Sequence, residues 1–385
     1  MSRCSNVVSS VAQSCMVLLT VLIGCHTTEP VQPQTHSGQV LWTYPAAAFG
    51  QPAADDSTVY FGTTAHELIA VQRGSGQRRW RAQTTPYGQR TMFGFNVLLV
   101  GNNVIFGDYV VTAFDRGSGS RRWTFDPEQQ GLAGHGAGLY LLTSDGQHVF
   151  AGSGSGQGYA INASDGSALW VTTLATDGNS SVYDPVVDGE TVYFVVRHFT
   201  NPITGSVAAV DRLTGAVKWM FAFPTEAPTG SGPLGRVVPY GGIVFVANDD
   251  GKIYALDKAT GNPTFSIPRR TDVLGLDDVR ALLLAGSTLV ATSTADFVEG
   301  WDASSGTRKW ELNTGQGAAS NNYLATDGTT VFVTYINGSL AAIDVATGKL
   351  DWMKTSSQSP FYNFPLVQDT LILAPSQSAL VAIRK

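Results

Sequence analysis

The sequence predicts an all-β protein in which eight four-stranded antiparallel sheets close into a ring, an eight-bladed propeller over residues 38–385. Three observations carry this. A glycine–aromatic spacing recurs eight times, the units between share one internal grammar, and the two chain ends are incomplete in complementary ways. The glycine stands four residues before the aromatic at Gly38/Trp42, Gly76/Trp80, Gly119/Trp123, Gly166/Trp170, Gly215/Trp219, Gly261/Phe265, Gly306/Trp310 and Gly348/Trp352. The glycine-to-glycine steps are 38, 43, 47, 49, 46, 45 and 42 residues, the period of a propeller blade.

The first residues read as an address. Arg3 precedes an apolar run from Met16 to Ile23, which suits the apolar region of a signal peptide and is too short to span a bilayer. The run ends Leu22-Ile23-Gly24-Cys25. This resembles the bacterial lipobox, in which a small residue precedes a cysteine whose thiol accepts the lipid. Residues 1–24 are thus expected to be a lipoprotein signal peptide, Cys25 the lipidated N-terminus, and 25–37, rich in Thr, Pro, Gln and His, a flexible tether. Of the three cysteines, Cys4 and Cys15 lie upstream of the cut, so none is left for a disulfide, a thiolate metal site or a nucleophile. His26 stands where an aspartate would signal inner-membrane retention, and by resemblance to those sorting rules the outer membrane is expected, with the protein facing the periplasm.

Within each unit a β-branched and aromatic run comes first, such as Val59-Tyr60-Phe61, Val192-Tyr193-Phe194 or Ile243-Val244-Phe245. A polar turn follows, as in Asn248-Asp249-Asp250-Gly251 or Asn337-Gly338, residues that tolerate the positive φ of a hairpin. The next strand alternates and carries a small residue in one register: Ala70, Ala113, Ala160, Ala209, Ala255, Gly300, Ala342 and Ala382. Eight small residues mark a crowded position, expected where neighbouring sheets approach. The turn into the last strand reads Asp-x-x-Ser/Thr-Gly at 115–119, 211–215, 257–261, 302–306 and 344–348. The carboxylate accepts backbone N–H groups and the glycine supplies the left-handed φ, so these aspartates are turn residues rather than catalytic acids. The closing residues Trp42, Trp80, Trp123, Trp170, Trp219, Trp310 and Trp352 are expected to pack flat between sheets, with Phe265 in the eighth register and Trp301 standing apart.

The ends supply the closure. Leu371 to Lys385 lacks a closing Gly-x-x-x-Trp, and Gly38 to Trp42 supplies one without its partner strands. Joining them removes the exposed edges that an array of β-sandwiches, the alternative fold, would leave. Length alone would suggest two or three domains; the repeat makes one, expected to be monomeric. Net charge −6 and no run of Lys or Arg exclude a nucleic-acid partner, and no apolar stretch is long enough for a polytopic membrane protein.

Units ending Ala-Leu/Ile-Asp-x-x-Thr-Gly-x-x-x-Trp resemble the pyrroloquinoline-quinone (PQQ) type propeller repeat. Two families share it, the large quinoprotein dehydrogenases and the outer-membrane protein assembly factors of the BamB family, and the size, lipobox and blade count are similar to the second. The C-terminal strands from Leu366 to Arg384 are similar to the end of that family's chains. Leu276-Asp277-Asp278-Val279-Arg280 matches, at Leu276, Asp278 and Val279, a Leu-x-Asp-Val-Asp segment on an inter-blade loop, with Arg280 in place of an acid. The resemblance implies that this loop, Leu274 included, docks the periplasmic domains of an Omp85-type barrel insertase. The family's second docking element, Leu-x-Leu-Arg-Gly, has no counterpart between Met220 and Leu234. A lipid-anchored binding propeller for another envelope partner, whether glycan, peptidoglycan or protein, is therefore the alternative function.

No catalytic, cofactor-binding or metal-ligating residue is expected. His66, His135, His148 and His198 are scattered without paired metal spacing, and His66 and His148, flanking hairpin strands, read as solvated turn residues. Gly152-Ser153-Gly154-Ser155-Gly156-Gln157-Gly158 joins two strands instead of opening a helix, so it reads as a flexible hairpin rather than a phosphate cradle. A quinoprotein dehydrogenase, implied by the other branch of the resemblance, would be longer, would hold calcium beside the quinone, and would commonly carry adjacent cysteines, which this chain lacks. The work is expected on the long connections from each blade's last strand to the next blade's first, 81–95, 124–138, 220–232 and 266–279. They carry Tyr87, Phe93, Phe95, Phe221, Phe223, Leu274 and Leu276 beside Arg90, Glu226, Arg269, Arg270 and Asp272, residue types that dominate binding hot spots.

Overall fold

The computed structural model describes residues 38–84, 96–132, 138–200, 202–224, 232–268, 279–293, 297–316, 323–335, 337–355, 361 and 364–385. Eight four-stranded antiparallel sheets form the predicted ring. Blades 1 to 7 run consecutively through residues 48–83, 97–125, 139–173, 180–222, 233–268, 279–313 and 323–355. Blade 8 takes its three inner strands from 366–384 and its outermost strand, Val40–Tyr44, from the other end of the chain. Here the turn that opens every closing strand is rebuilt from two chain ends. Gly38 N donates to Arg384 O at 2.8 Å and Arg384 N to Gln39 O at 2.8 Å, as Gly119 N does to Asp115 O at 2.8 Å within blade 2.

The core lies between blades, in clusters that each draw on two neighbouring sheets. At each joint the closing aromatic of one blade lies on the turn glycine of the next. A Cβ on Gly76, Gly119, Gly166, Gly261 or Gly348 would meet a ring atom of Trp42, Trp80, Trp123, Trp219 or Trp310 within 2.5–2.7 Å. Those glycines also sit at φ between 69° and 77°, so both space and backbone require glycine. Six indoles donate Nε1–H across the joint, to the carbonyls of Arg73, Arg116, Ala163, Arg212, Lys258 and Val345.

The small register has a second cause besides the approach of neighbouring sheets. Ala70, Ala113, Ala160, Ala209, Ala255, Gly300, Ala342 and Ala382 are the cross-strand partners of Trp80, Trp123, Trp170, Trp219, Phe265, Trp310, Trp352 and Trp42 in their own blades. The aromatic crowds this register from within the blade, a Cβ on Gly300 lying 2.2 Å from Trp310, and the seven alanines also lie in clusters shared with the next blade, where the sheets approach. Trp301 lies outside the closing register, on the strand before it. It is buried in the cluster between blades 5 and 6 on which Phe265 also packs, so this joint carries its large indole on the opposite blade.

A second contact repeats at the rim. The residue after the first turn position, Asp115, Asp211 and Asp257 in three blades and Gln72 and Arg384 in two, is basic in these five blades and reaches an acid in the first hairpin of the preceding blade. The pairs are Arg73–Asp369, Arg116–Asp55, Arg212–Asp145, Lys258–Asp188 and Lys385–Asp327. At the other three joints both positions are apolar: Val100 with Ala163, Tyr240 with Ala303, and Ala285 with Val345, each pair within one cluster.

Candidate functional site

In this topology the connections between blades and the middle hairpin turns share one face; the first hairpin turns and the Asp-x-x-Ser/Thr-Gly turns share the other. The docking segment falls on the first face. Leu274, Leu276 and Asp278 lie outside the described residues, as do Tyr87, Phe93, Phe95, Arg90, Glu226, Arg269, Arg270, Asp272, His135, Cys25 and the tether. Val279 opens the innermost strand of blade 6, opposite Ser293, and is 3% exposed in the core between blades 5 and 6. Its side chain thus fixes the end of the loop in the ring. Arg280 follows it in the same strand. Phe221 and Phe223 pack inward, on each other at 5.2 Å and on Tyr254 at 5.8 and 5.2 Å, so for these two the aromatic is core rather than contact surface.

The histidines are not solvated turn residues. His66 Nδ1 lies 2.8 Å from Asp108, a carboxylate only 4% exposed, and thereby ties blade 1 to blade 2. His148 Nδ1 lies 2.8 Å from Asp145, which also holds Arg212 of the next blade. Asp145 lies three residues before His148 in the same hairpin, whereas Asp108 is 42 positions from His66 and only ring adjacency makes them neighbours.

Ser180, His198 and Asp177 also converge, on the face of the inter-blade connections. Ser180 Oγ is 2.6 Å from His198 Nδ1 and 2.6 Å from Asp177 Oδ1, and Asp177 Oδ2 is 2.8 Å from the same Nδ1. A nucleophilic triad needs the acid on one ring nitrogen and the hydroxyl on the other. Here both sit on Nδ1, so the cluster cannot relay a proton from the serine. The hydrogen bond from Ser180, together with His198, holds the Asp177 carboxyl down at about 2. The turn aspartates behave alike: hydrogen bonds from Ser118 and Arg122 hold Asp115 at about 2, and Thr214, Thr260 and Thr347 lower Asp211, Asp257 and Asp344. Carboxyls so stabilised as anions are poor general acids. Nor is the glycine-rich hairpin a phosphate cradle. A Cβ on Gly152 would meet Val182 O at 2.3 Å and one on Gly158 would meet Phe194 at 3.0 Å, so these glycines admit the neighbouring blade.

The innermost strands line the axis, and apart from Val279 and Arg280 sequence reasoning singled out no candidate partner-binding residue on them. Tyr140 and Tyr183 meet with ring centres 4.4 Å apart and planes tilted by 45° between blades 3 and 4, and Tyr323 and Phe364 meet at 4.3 Å and 57° between blades 7 and 8. Burial pushes the Tyr183 hydroxyl well above its ordinary range. Asp184 and Arg236 stand on the innermost strands of blades 4 and 5. Among the described residues no three of His, Cys, Asp and Glu are placed to hold a metal ion.

Comparison with known proteins follows the ring. The model of the family described as outer membrane protein assembly factor BamB matches residues 2–86, 107–201 and 203–381. BamB of Yersinia pestis is 32% identical over 152 residues, 38% of this chain and 36% of that protein. BamB of Bordetella pertussis is 26% identical over 269 residues, 68% of this chain and 64% of that one. The aligned part is thus about a third of the first relative's length and under two thirds of the second's. A tetrathionate hydrolase of Acidithiobacillus ferrooxidans is 23% identical over 283 residues, 68% of this chain and 53% of that one. Among solved structures, BamB from Moraxella catarrhalis superposes with a TM-score of 0.67 at 15% identity, over 90% of this chain and 97% of the other. Quinohemoprotein alcohol dehydrogenase from Comamonas testosteroni gives 0.65 at 12%, over 90% and 76%. Those two likenesses are of fold. The family match spans nearly the whole ring, and the chain belongs to the outer membrane protein assembly factor BamB family.

Proposed function

We propose that this chain is a non-catalytic scaffold of the outer membrane, lipid-anchored through Cys25 and facing the periplasm, that assists assembly of β-barrel proteins through protein–protein contacts. The observation that carries the proposal is the family match over nearly every blade. The loop ending at Val279 is the docking element. Leu274, Leu276, Asp278 and Arg280 supply its contacts, while Val279 anchors it in the core between blades 5 and 6. A binding loop whose end is fixed in a rigid ring loses less conformational freedom on binding than an untethered one. The partner is the periplasmic part of an Omp85-type insertase, and the scaffold works as a monomer.

The test is recovery of the full chain from detergent-solubilised envelopes. An Omp85-type barrel should come with it, and recovery should fall about tenfold on Leu276→Ala or Asp278→Arg; an eluate with no barrel overturns the assignment. Labelled fatty acid should enter the wild type and not Cys25→Ser. A second reading is favoured by Arg280 and by the absence of Leu-x-Leu-Arg-Gly between Met220 and Leu234. It keeps the anchored propeller and gives it another envelope partner, which the same eluate would identify. The likeness to a tetrathionate hydrolase motivates one enzymatic control, turnover of tetrathionate, for which no activity is expected.

A further inference from the structure

The inner rim holds two charged groups that neither the joints nor the docking loop uses. Asp184 and Arg236 lie in adjacent blades, each where the innermost strand breaks register: between Tyr183 and Val186 in blade 4, and between Leu234 and Val238 in blade 5. Blade 1 breaks in the same way between Phe49 and Ala53. In blades 1 and 5 the residue that bends the chain there is a glycine, Gly50 at φ 80° and Gly235 at φ 69°; in blade 4 it is Asp184 at φ 42°. A side chain at positive φ carries strain that glycine avoids. Two sister blades show the relaxed solution, so the aspartate is kept for what its carboxyl does. Burial pushes that carboxyl above its ordinary range, with Arg236 pulling the other way.

Arg236 supplies the complement. Its Nε and Nη2 are out of contact with water and have no hydrogen-bond partner. Among the described residues no hydrogen bond or ion pair joins it to Asp184. These two nitrogens form one edge of the guanidinium, with two parallel N–H groups spaced for the two oxygens of a carboxylate. A buried cation edge without an acceptor is costly and calls for a ligand. The guanidinium carbon lies 5.7 Å from the centre of the Phe364 ring, which packs on Tyr323. Phe364 leads into blade 8 and Arg236 belongs to blade 5, so the arginine reaches across the axis toward an aromatic wall.

We propose that the inner rim between blades 4, 5 and 8 is a binding site for a monocarboxylate with an apolar or aromatic body, its two oxygens gripped by the Nε–Nη2 edge of Arg236. The Tyr323–Phe364 pair packs the body, and Asp184 disfavours a second negative charge. The competing arrangement is a simple internal pair, in which Arg236 swings to Asp184 and binds nothing.

Calorimetric titration of the full chain in detergent separates the two, with benzoate as the probe and benzamide as its neutral isostere. Benzoate should bind saturably and benzamide should not. Arg236→Gln should weaken benzoate at least tenfold, and Arg236→Lys, which keeps the charge but not the two-pronged edge, should do nearly the same. Asp184→Asn removes the competing charge, tolerates positive φ, and should bind benzoate at least as tightly as the wild type. The proposal is overturned by no saturable heat with benzoate, by equal binding of benzamide, or by unchanged affinity in either arginine variant.

Discussion

The joint between blades 3 and 4 and the joint between blades 6 and 7 solve one problem by opposite chemistry. Both stack a closing indole on a glycine and donate its N–H to a carbonyl, Trp170 to Arg212 O at 3.0 Å and Trp310 to Val345 O at 2.7 Å. At the rim the first adds Asp145 and Arg212, 8% and 21% exposed; the second puts Ala285 against Val345. Across the ring the acid and base occur together in five joints, and at the other three both are replaced by apolar residues. A half-buried pair must be matched or absent. One partner alone leaves an uncompensated charge, whereas exchanging both for apolar groups is nearly neutral. The apolar solution has a geometric consequence. Open clefts of about 470 and 480 Å³ lie at the joints of blades 2 with 3 and 6 with 7, lined by Val100, Ala163 and Arg122 and by Ala285, Val345 and Lys309.

If the indole is what both kinds of joint share, removing it should cost most. Trp310→Ala should lower unfolding free energy by about 3–5 kcal/mol, read by urea denaturation. Trp352→Ala should cost roughly half that by the same scaling with burial. Trp352 is only partly buried, and a Cβ on Gly38 would still be 3.5 Å from its ring. Equal losses at the two sites would mean that the stacking contact does not set joint strength.

The rim contacts come next. Val100→Asp sets a carboxylate among Val149, Ala151 and Ala163 and should cost about 2–4 kcal/mol. Adding Ala163→Arg should recover more than half of it, a coupling of about 1–3 kcal/mol in the double-mutant cycle. Additive losses would show that the pairing of like kinds across joints has no energetic basis.

These joints also show what was legible in the sequence. The closing tryptophans and turn glycines stood out because they repeat in one register, and that register alone gave the blade count and the closure by Gly38 to Trp42. The rim pairs were hidden although both members are plain in the sequence, because Arg116 meets Asp55 across 61 positions and only ring adjacency makes them neighbours. The small register was legible as a crowded position between sheets, but the cross-strand aromatic that also crowds it needs the strand register, as in Ala70 opposite Trp80. Asp184 could have been found by aligning Phe49-Gly50-Gln51, Tyr183-Asp184-Pro185 and Leu234-Gly235-Arg236, where an acid interrupts a glycine register. Arg236 could not, because its lack of an acceptor is a property of packing. Of the docking loop only Val279 is placed, and its apolar side chain reads alike as contact residue or core.

Acid should act on one kind of joint and spare the other. Burial alone would raise Asp55, but hydrogen bonds from Ser57, Arg116 and Thr58 outweigh it and hold the carboxyl at about 2; Asp327 is likewise held at about 2 against burial by Lys385, Thr330 and Thr329. A carboxyl whose folded pKa lies below its unfolded value stabilises fully above the unfolded value and loses that contribution as pH falls through the folded one. Stability should therefore drop between about pH 4 and pH 2. In Asp55→Asn the drop should be shallower, because one such group no longer titrates. An identical pH profile would remove the rim pairs from the ledger of acid stability.

The smallest effect is expected where the ionic contact is most exposed. Arg73 is 15% exposed but its partner Asp369 is 69% exposed, so water screens the attraction and the side chain gives up freedom to hold it. Asp369→Ala should cost less than about 1 kcal/mol, and most of even that should vanish in about 1 M salt, where the screening length is near 3 Å. Asp145→Ala leaves Arg212 the exposed Glu190 at 3.4 Å as its acid partner in place of a carboxylate only 8% exposed, and should cost about 2–3 kcal/mol with little response to salt. Because blade 8 is the blade closed by both chain ends, a large loss at Asp369 would carry a second meaning. It would show that the rim pair, rather than the Trp42 indole seated on Gly76 and bonded to Arg73 O at 2.7 Å, holds blade 8 to blade 1.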